Sequence, residues 1–508
     1  MTKQKINIKN VVFLTILFLI IICGCILRTY IWYHHTDFFC DEASLTKNII
    51  TRNYFELFGP LDYAQCCPPI FLILGKLIYS NFGLNERALC SISFSAGILS
   101  LFLFTFLTFK VFKHKISILF ATLLFSISFP LLICSMFFKQ YSFDVLFTII
   151  VLFAVFSIKD KKLSNLQMFF LSLFCIFCVF CSYTAGFLIF LYALFFIFKS
   201  FKEKTIKRDL KPFLIFIIPF ASVMIWYFFT NCIATINDAT LQHYWCCKTN
   251  NSPLIFYPKT INQIELYFLF AITHLSDYIQ MQHIIYFILN FLVITAFFLL
   301  WKFNKEKLYF LFSPFALALF LGICLLYPFA PERVSLYLIP FFFLIIIIPI
   351  DEISFKKYSY KYSILSLFIL FFFMYLPNLF NFYIKVFKNY DFSDFHFYQN
   401  SKTFIETLYS INIEDNSYIV GIEVDALKLI YDKKKKLNKV KLTPTWTFFE
   451  VFEKQDKIKK NDIFYVWILI GDSQFEEIIN WLKNNNCKEI YKIDGYDSNL
   501  IKFKVMSE

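Results

Sequence analysis

The 508-residue chain is poor in charge: only 17% of its residues are Asp, Glu, Lys or Arg. Soluble domains carry about a quarter, so a soluble globular class is excluded at the outset. Glycine is scarce too, with 10 residues and no two close together. Neither G-x-G-x-x-G nor G-x-x-x-x-G-K-[ST] occurs. That removes a Rossmann dinucleotide site and a P-loop, since both need clustered glycines to lay backbone N–H groups on phosphate. There are 7 histidines and no H-E-x-x-H pair to present two ligands on one helix face. The formal charge is +13, yet no basic stripe or nucleic-acid motif accompanies it, so nucleic acid is excluded as a partner.

What is abundant is apolar surface: 58% of residues are hydrophobic and the mean hydropathy is +0.61. A membrane span needs roughly 17–25 mainly apolar residues. By that measure about eleven spans are predicted, near 11–27, 88–109, 116–134, 142–158, 166–183, 185–198, 212–230, 283–301, 308–327, 334–350 and 363–380. The fifth and sixth are separated only by the short stretch Ser182 to Gly186. The cations lie between these runs and alternate with them. Lys3, Lys5 and Lys9, then Lys110, Lys113 and Lys115, then Lys159, Lys161 and Lys162 fall on one side. Lys199 to Lys211, Lys302 to Lys307 and Lys356 to Lys361 follow on the same side. An excess of Lys and Arg marks the cytoplasmic face. The first run lacks a small-residue cleavage site after it and is predicted to stay as an anchor.

On the other face two loops are long, 28–87 and 231–282. The tail, 381–508, changes character. It carries apolar segments at Tyr418 to Gly421 and Phe464 to Gly471, an amphipathic stretch at Phe475 to Leu482, and a strand pair around Gly495 from Lys488 to Val505. The expected architecture is an α-helical polytopic membrane module, 1–380, followed by an extracytoplasmic α/β domain, 381–508. Lys433 to Lys436 reads as a solvated turn. The 15 cysteines are scattered. Cys175, Cys178 and Cys181 lie in an apolar run and read as small helix residues. Cys40, Cys66, Cys67, Cys246 and Cys247 fall in the outer loops, where a disulfide is open to them in an oxidising compartment but no pairing is legible.

Chemistry concentrates in the first outer loop. It reads Asp37-Phe38-Phe39-Cys40-Asp41-Glu42-Ala43, two adjacent acids among aromatics directly after a span. Charge near lipid is expensive, so such acids stand as a functional hypothesis. Cys67-Pro68-Pro69-Ile70 then opens an amphipathic stretch, Phe71 to Tyr79, and Gly83-Leu84-Asn85-Glu86-Arg87 leads into the second span. A long loop with helical segments of its own is a shaped cap over the bilayer surface.

The order Asp41-Glu42-Ala43, Pro68-Pro69 and Gly83-x-x-Glu86-Arg87 resembles the GT-C superfamily of polyprenyl-phosphate-sugar glycosyltransferases, in the branch with bacterial protein mannosyltransferases and aminoarabinose transferases of lipid A. Lys139-Gln140-Tyr141-Ser142-x-Asp144 is similar to a Lys/Arg-x-Tyr element of that family, and Glu332-Arg333 to its late outer-loop Arg. The likeness covers the first 150 or so residues by motif and the remainder by topology. The chain departs from aminoarabinose transferases at Gln65-Cys66-Cys67, where they carry an acidic residue before the proline pair. That leaves a metal there without its carboxylate. Asp238, Glu265, His274 and Asp277 in the second long loop match no family motif.

The resemblance implies an inverting transfer of a sugar from a polyprenyl-phosphate carrier to a lipid, glycan or protein acceptor, at the outer face of a membrane, the bacterial inner membrane being expected. The acceptor hydroxyl must lose a proton to a carboxylate. Asp41 is the candidate base, with Glu42 orienting it or the acceptor. The departing phosphate needs positive charge held ready, for which Lys139 and Arg333 with Tyr141 are the candidates. Arg87, Glu86, Asp144 and Glu332 are supporting candidates. No metal ligand is assigned, and a divalent metal stays open as a cofactor. Two other classes suit a polytopic chain: a transporter or flippase of lipid-linked glycan, and a non-catalytic scaffold. Transporters show repeated halves and broken helices near the midplane, and this sequence shows no repeat. A scaffold has no need of the ordered acids and cations.

Overall fold

The computed structural model describes residues 8–34, 38, 40–63, 65–238, 279–324, 326–329, 333–352, 417–421, 441–444, 462–469, 473–485, 487–494 and 498–505. The chain divides into two compact units. One comprises Met1–His35, Tyr54–Ile78 and Arg87–Tyr383; the other comprises Thr36–Asn53, Tyr79–Glu86 and Ile384–Glu508.

Helices come first along the chain: α1 (Ile8–His34), α2 (Cys40–Thr51), α3 (Pro69–Phe82), α4 (Glu86–Val111), α5 (Lys115–Ile127) and α6 (Phe129–Cys134). Then follow α7 (Tyr141–Ile158), α8 (Asn165–Cys181), α9 (Tyr183–Lys202), α10 (Ile206–Tyr227) and α11 (Ile233–Ile236), the last two joined by a π turn at Phe228–Cys232. Beyond the second long loop come α12 (Ile279–Phe303), α13 (Lys305–Ile323) and α14 (Ile339–Glu352), which a 3-10 turn, Arg333–Leu338, precedes. Among the described residues seven helical segments are long and apolar enough to cross a membrane, and α3, α5, α8 and part of α12 are shorter apolar helices. The expected span at 363–380 lies outside the described residues, as does the turn at Lys433 to Lys436.

The helix ends follow local chemistry. Ser182 is extended, accepts the Ala185 N–H at 3.3 Å and so separates α8 from α9. Ser164 and Gln167 form a reciprocal capping box at the start of α8. Every residue from Ile339 to Asp351 is buried, as befits a helix apolar on all sides.

Two expectations need correction. The run at 116–134 is not one helix, and Arg28 is not the start of a loop. Ser128 is extended and Pro130 follows at the start of α6. Pro130 has no N–H to give the Ser126 carbonyl, and its ring disfavours a continuous helix. Arg28 sits inside α1 and is 1% exposed. Its guanidinium donates to Ser126 O at 2.9 Å, Phe125 O at 3.3 Å and Gly24 O at 3.0 Å. It thus supplies donors where the break has removed them, in a setting without water to do so. The close approach requires glycine: a Cβ on Gly24 would lie 2.8 Å from Ser126 Cβ, and one on Gly97 would lie 2.7 Å from Ser135 Cβ.

At the opposite end of α14, Asp351 accepts the Lys113 and His114 backbone N–H groups at 3.0 and 2.9 Å, just before α5. Glu352 pairs with Lys113 at 3.0 Å and Lys307 at 3.3 Å. The Lys-rich loops at this end are therefore tied to the central helix. Asp351→Ala strips two N–H groups of their acceptor at a helix N-terminus, and is expected to lower unfolding free energy by about 1–3 kcal/mol. A thermal melt in lipid nanodiscs checks this; an unchanged melting temperature counts against it.

In the other unit, β1 (Tyr418–Gly421), β2 (Lys441–Pro444), β3 (Ile463–Leu469), α15 (Ser473–Asn484), β4 (Cys487–Asp494) and β5 (Ser498–Val505) build a small α/β fold. The sheet order is β2-β1-β3-β5-β4. β1 pairs in parallel with β2 and β3, while β5 runs antiparallel to β3 and β4. Ile419, Phe464, Val466, Ile501 and Phe503 are buried, and so are Ile478 and Leu482, one turn apart on α15. The apolar segments, the amphipathic stretch and the strand pair read from the tail are all found here.

Candidate functional site

The site in the membrane unit is built around the turn 135–140, which links α6 to α7. Ser142 Oγ donates to Cys134 O at 2.9 Å, and Ser93 Oγ on α4 donates to Lys139 O at 2.8 Å. Both sides of the turn are thereby fixed, and Lys139 is 6% exposed. Its ammonium donates to the Gln65 side-chain oxygen. The Gln65 amide nitrogen in turn donates to Tyr63 O at 3.0 Å.

The segment before the proline pair is gripped at three successive residues. Gln65 is held by Lys139, Cys66 O accepts from Gln140 Nε2 at 2.9 Å, and Cys67 O accepts from the Tyr183 hydroxyl at 3.0 Å. Tyr183 already donates to that carbonyl, so Tyr227 is the donor in the 2.7 Å contact between the two hydroxyls. Tyr63, at the start of this segment, has φ of 63°. That left-handed conformation is unfavourable for a side chain with a Cβ and is held only by surrounding contacts.

Asp144, one turn into α7, is buried. Its Oδ1 accepts from Ser182 Oγ at 2.5 Å and Thr184 Oγ1 at 3.4 Å. Arg333 places its guanidinium carbon 5.6 Å from the Tyr141 ring centroid, a cation–π arrangement. The segment carrying Arg333 is steadied by the Tyr327 hydroxyl, which donates to Val334 O at 3.1 Å. The structure therefore brings Lys139, Tyr141, Asp144 and Arg333 to one end of the bundle. Arg87 places its guanidinium carbon 4.9 Å from the Tyr33 ring centroid.

Asp41 and Glu42 occupy the first turn of α2, in the unit that also contains Glu86. Glu42 is 1% exposed and Asp41 is half-buried. Glu332 lies outside the described residues, as do Glu265, His274 and Asp277. Sequence reasoning missed Gln65 as a partner of Lys139, and missed the Tyr183–Tyr227 pair. The polar triplet Ser182-Tyr183-Thr184 between two apolar runs was the available signal.

Cys66 and Cys67 carry free thiols. Burial pushes the Cys66 thiol up to about 12, and pushes Cys67 well above the usual thiol range against the opposing charge of Lys139. A raised thiol pKa keeps the protonated form, and the thiolate is the nucleophile and metal ligand. Both residues are expected to resist maleimide at pH 8 in the folded protein and to label on unfolding. Fast labelling of either in the native state, read by mass spectrometry, would contradict this environment. Among the described residues no three His, Cys, Asp or Glu side chains converge as a metal centre needs.

A polytopic α-helical membrane protein with a small α/β unit is the class that these features define. No family model matches the chain, and no curated protein matches it. Among solved structures it is similar to ArnT from Cupriavidus metallidurans bound to undecaprenyl phosphate, at 8% identity and a TM-score of 0.46, over 98% of each chain. It is similar also to the same protein in the apo state, at 8% identity and a TM-score of 0.47, over 97% of each chain.

Proposed function

We propose that the protein is a membrane glycosyltransferase that moves a sugar from a polyprenyl-phosphate carrier to an acceptor hydroxyl, with inversion, at the extracytoplasmic face. The observation that carries this reading is the pair of cations held at one end of the bundle. Lys139 is buried beneath a clamped loop and Arg333 lies against the neighbouring Tyr141. Two cations gathered at one end of the bundle suit a lipid phosphate, since charge-assisted contacts to phosphate oxygens are strong in a dry setting. The end of α14 that carries Arg333 is the one opposite to the Lys-rich loops around Lys113 and Lys307. Under the positive-inside rule it faces outward. Asp41 serves as base, and Glu42 as its neighbour or the acceptor's.

The same arrangement speaks against a lipid-glycan transporter. A helix break inside the bundle is what such a protein uses as a midplane binding site. Here the break between α5 and α6 is satisfied from within by Arg28.

The test is transfer by the purified chain in lipid, with a panel of radiolabelled undecaprenyl-phosphate sugars. Loss of label from the carrier to acceptor or water is the expected result. Lys139→Ala is expected to raise the donor KM by about tenfold or more, as for loss of a charge-assisted contact. If no donor on the panel turns over with any acceptor, the reading fails and glycan transport becomes the class to assay.

A further inference from the structure

Two side-chain oxygens at this end of the membrane unit are buried and have no hydrogen-bond partner among the described residues, Gln140 Oε1 and Ser335 Oγ. Both lie beside residues of the candidate site. Gln140 stands between Lys139 and Tyr141, and Ser335 comes two residues after Arg333. The two segments meet: the Arg333 guanidinium carbon is 5.6 Å from the Tyr141 ring centroid, and the turn Arg333–Leu338 packs along α7. The sense of the Gln140 amide is fixed, because Nε2 donates to Cys66 O at 2.9 Å. The flipped amide would set two acceptor oxygens against each other. Oε1 is therefore an acceptor in want of a donor. Ser335 is 6% exposed, and its hydroxyl can both give and take a hydrogen bond. A buried polar atom left unpaired is costly, so each one needs a reason.

We infer, resting on the proposed function for the place of the donor phosphate, that Gln140 and Ser335 form a subsite for the donor's sugar, in which Gln140 Oε1 accepts a hydrogen bond from a sugar O–H or N–H. The donor has three parts, and one of them fits. The isoprenoid has no polar hydrogen. The phosphodiester is ionised at neutral pH and has no proton to give to Oε1. The sugar carries both donors and acceptors. It is joined directly to the phosphate, so it arrives beside Tyr141 and Arg333 when the phosphate does. An oxygen that can only accept makes this position selective: it favours a sugar with a hydroxyl or amino group there and rejects one without. The Ser335 hydroxyl takes either role toward a second ring hydroxyl. An acceptor substrate offers the same O–H chemistry, and binding of the donor alone separates the two sources.

The experiment measures binding of undecaprenol, undecaprenyl phosphate and a panel of sugar-bearing undecaprenyl phosphates to the full chain in zwitterionic nanodiscs, with no acceptor present. Wild type, Gln140→Met and Ser335→Ala are compared, with a thermal melt of each. Wild type is expected to bind at least one sugar-bearing carrier more tightly than undecaprenyl phosphate. Gln140→Met should shrink that advantage by about fivefold or more, and Ser335→Ala by less, with binding of the bare carrier unchanged. Met also takes the donor from Cys66 O. Should Gln140→Met melt early or weaken the bare carrier too, Ser335→Ala decides: an advantage equal to wild type overturns the inference. A full advantage kept by Gln140→Met overturns it as well. So does a variant that loses transfer to acceptor but binds donor like wild type, since the open oxygens then serve the acceptor. A wild-type protein that binds sugar-bearing and bare carrier alike overturns the inference alone. One that binds undecaprenyl phosphate no better than undecaprenol overturns the proposed function, and the inference falls with it.

Discussion

Replacing Asp41 by Asn is expected to lower sugar transfer by at least about a hundredfold, the scale on which a general base acts, while the protein keeps its fold. Attack by a neutral hydroxyl on an anomeric carbon leaves a proton that must go somewhere, and a carboxylate placed beside the acceptor takes it. Asn preserves the size of Asp and its hydrogen-bonding reach but cannot accept that proton. Asp41 stands in the first turn of α2, where the unpaired N–H groups of a helix favour negative charge. It is half-buried, whereas Glu42 beside it is 1% exposed. A group that must meet an acceptor needs that access. Glu42→Gln is accordingly expected to reduce transfer less. Turnover of labelled donor by each variant, beside a thermal melt, checks both statements. Wild-type transfer by Asp41→Asn would remove it as the base.

The largest structural effect is expected at Arg28. Arg28→Met keeps the apolar stem and removes the donors, and should lower unfolding free energy by about 3–5 kcal/mol, since three buried carbonyls lose their donor at about 1–3 kcal/mol each. The reason lies in α5 and α6. Pro130 has no N–H for Ser126 O, and Ser128 turns the chain out of helical geometry. The carbonyls of Phe125 and Ser126 then look to Arg28, at 3.3 and 2.9 Å. Without it they would face hydrocarbon or a cavity. The same guanidinium reaches Gly24 O on its own helix, so α1 would lose its fastening to α5. A melt in nanodiscs and the yield of assembled protein read this directly. A variant that melts with wild type would mean that water or a lipid group satisfies those carbonyls instead.

Most of the helical architecture was legible because hydropathy and period are local properties. A run of apolar residues near Tyr141 to Ile158 or Tyr183 to Lys202 announces a span whatever it packs against. The antiparallel pair β4–β5 and the amphipathic α15 announced themselves by alternation and by helical spacing in the same way. The motif segments around Asp41, Lys139 and Arg333 were also found as sequence, since charges flanking apolar runs are conspicuous.

Partnership across the chain was decided by the tertiary structure. Gln65 and Lys139 are 74 residues apart, and Arg28 and Ser126 are 98 apart. No local pattern couples such positions. Arg28 reads as the edge of a loop because a cation ending an apolar run normally seeks water. Only the missing N–H of Pro130, brought against α1 by close packing at Gly24, gives it a reason to stay inside. Propensity and hydropathy act over a few residues and therefore determine the elements. Which donor finds which carbonyl in a medium without water depends on how those elements pack, and that is where the candidate site is made.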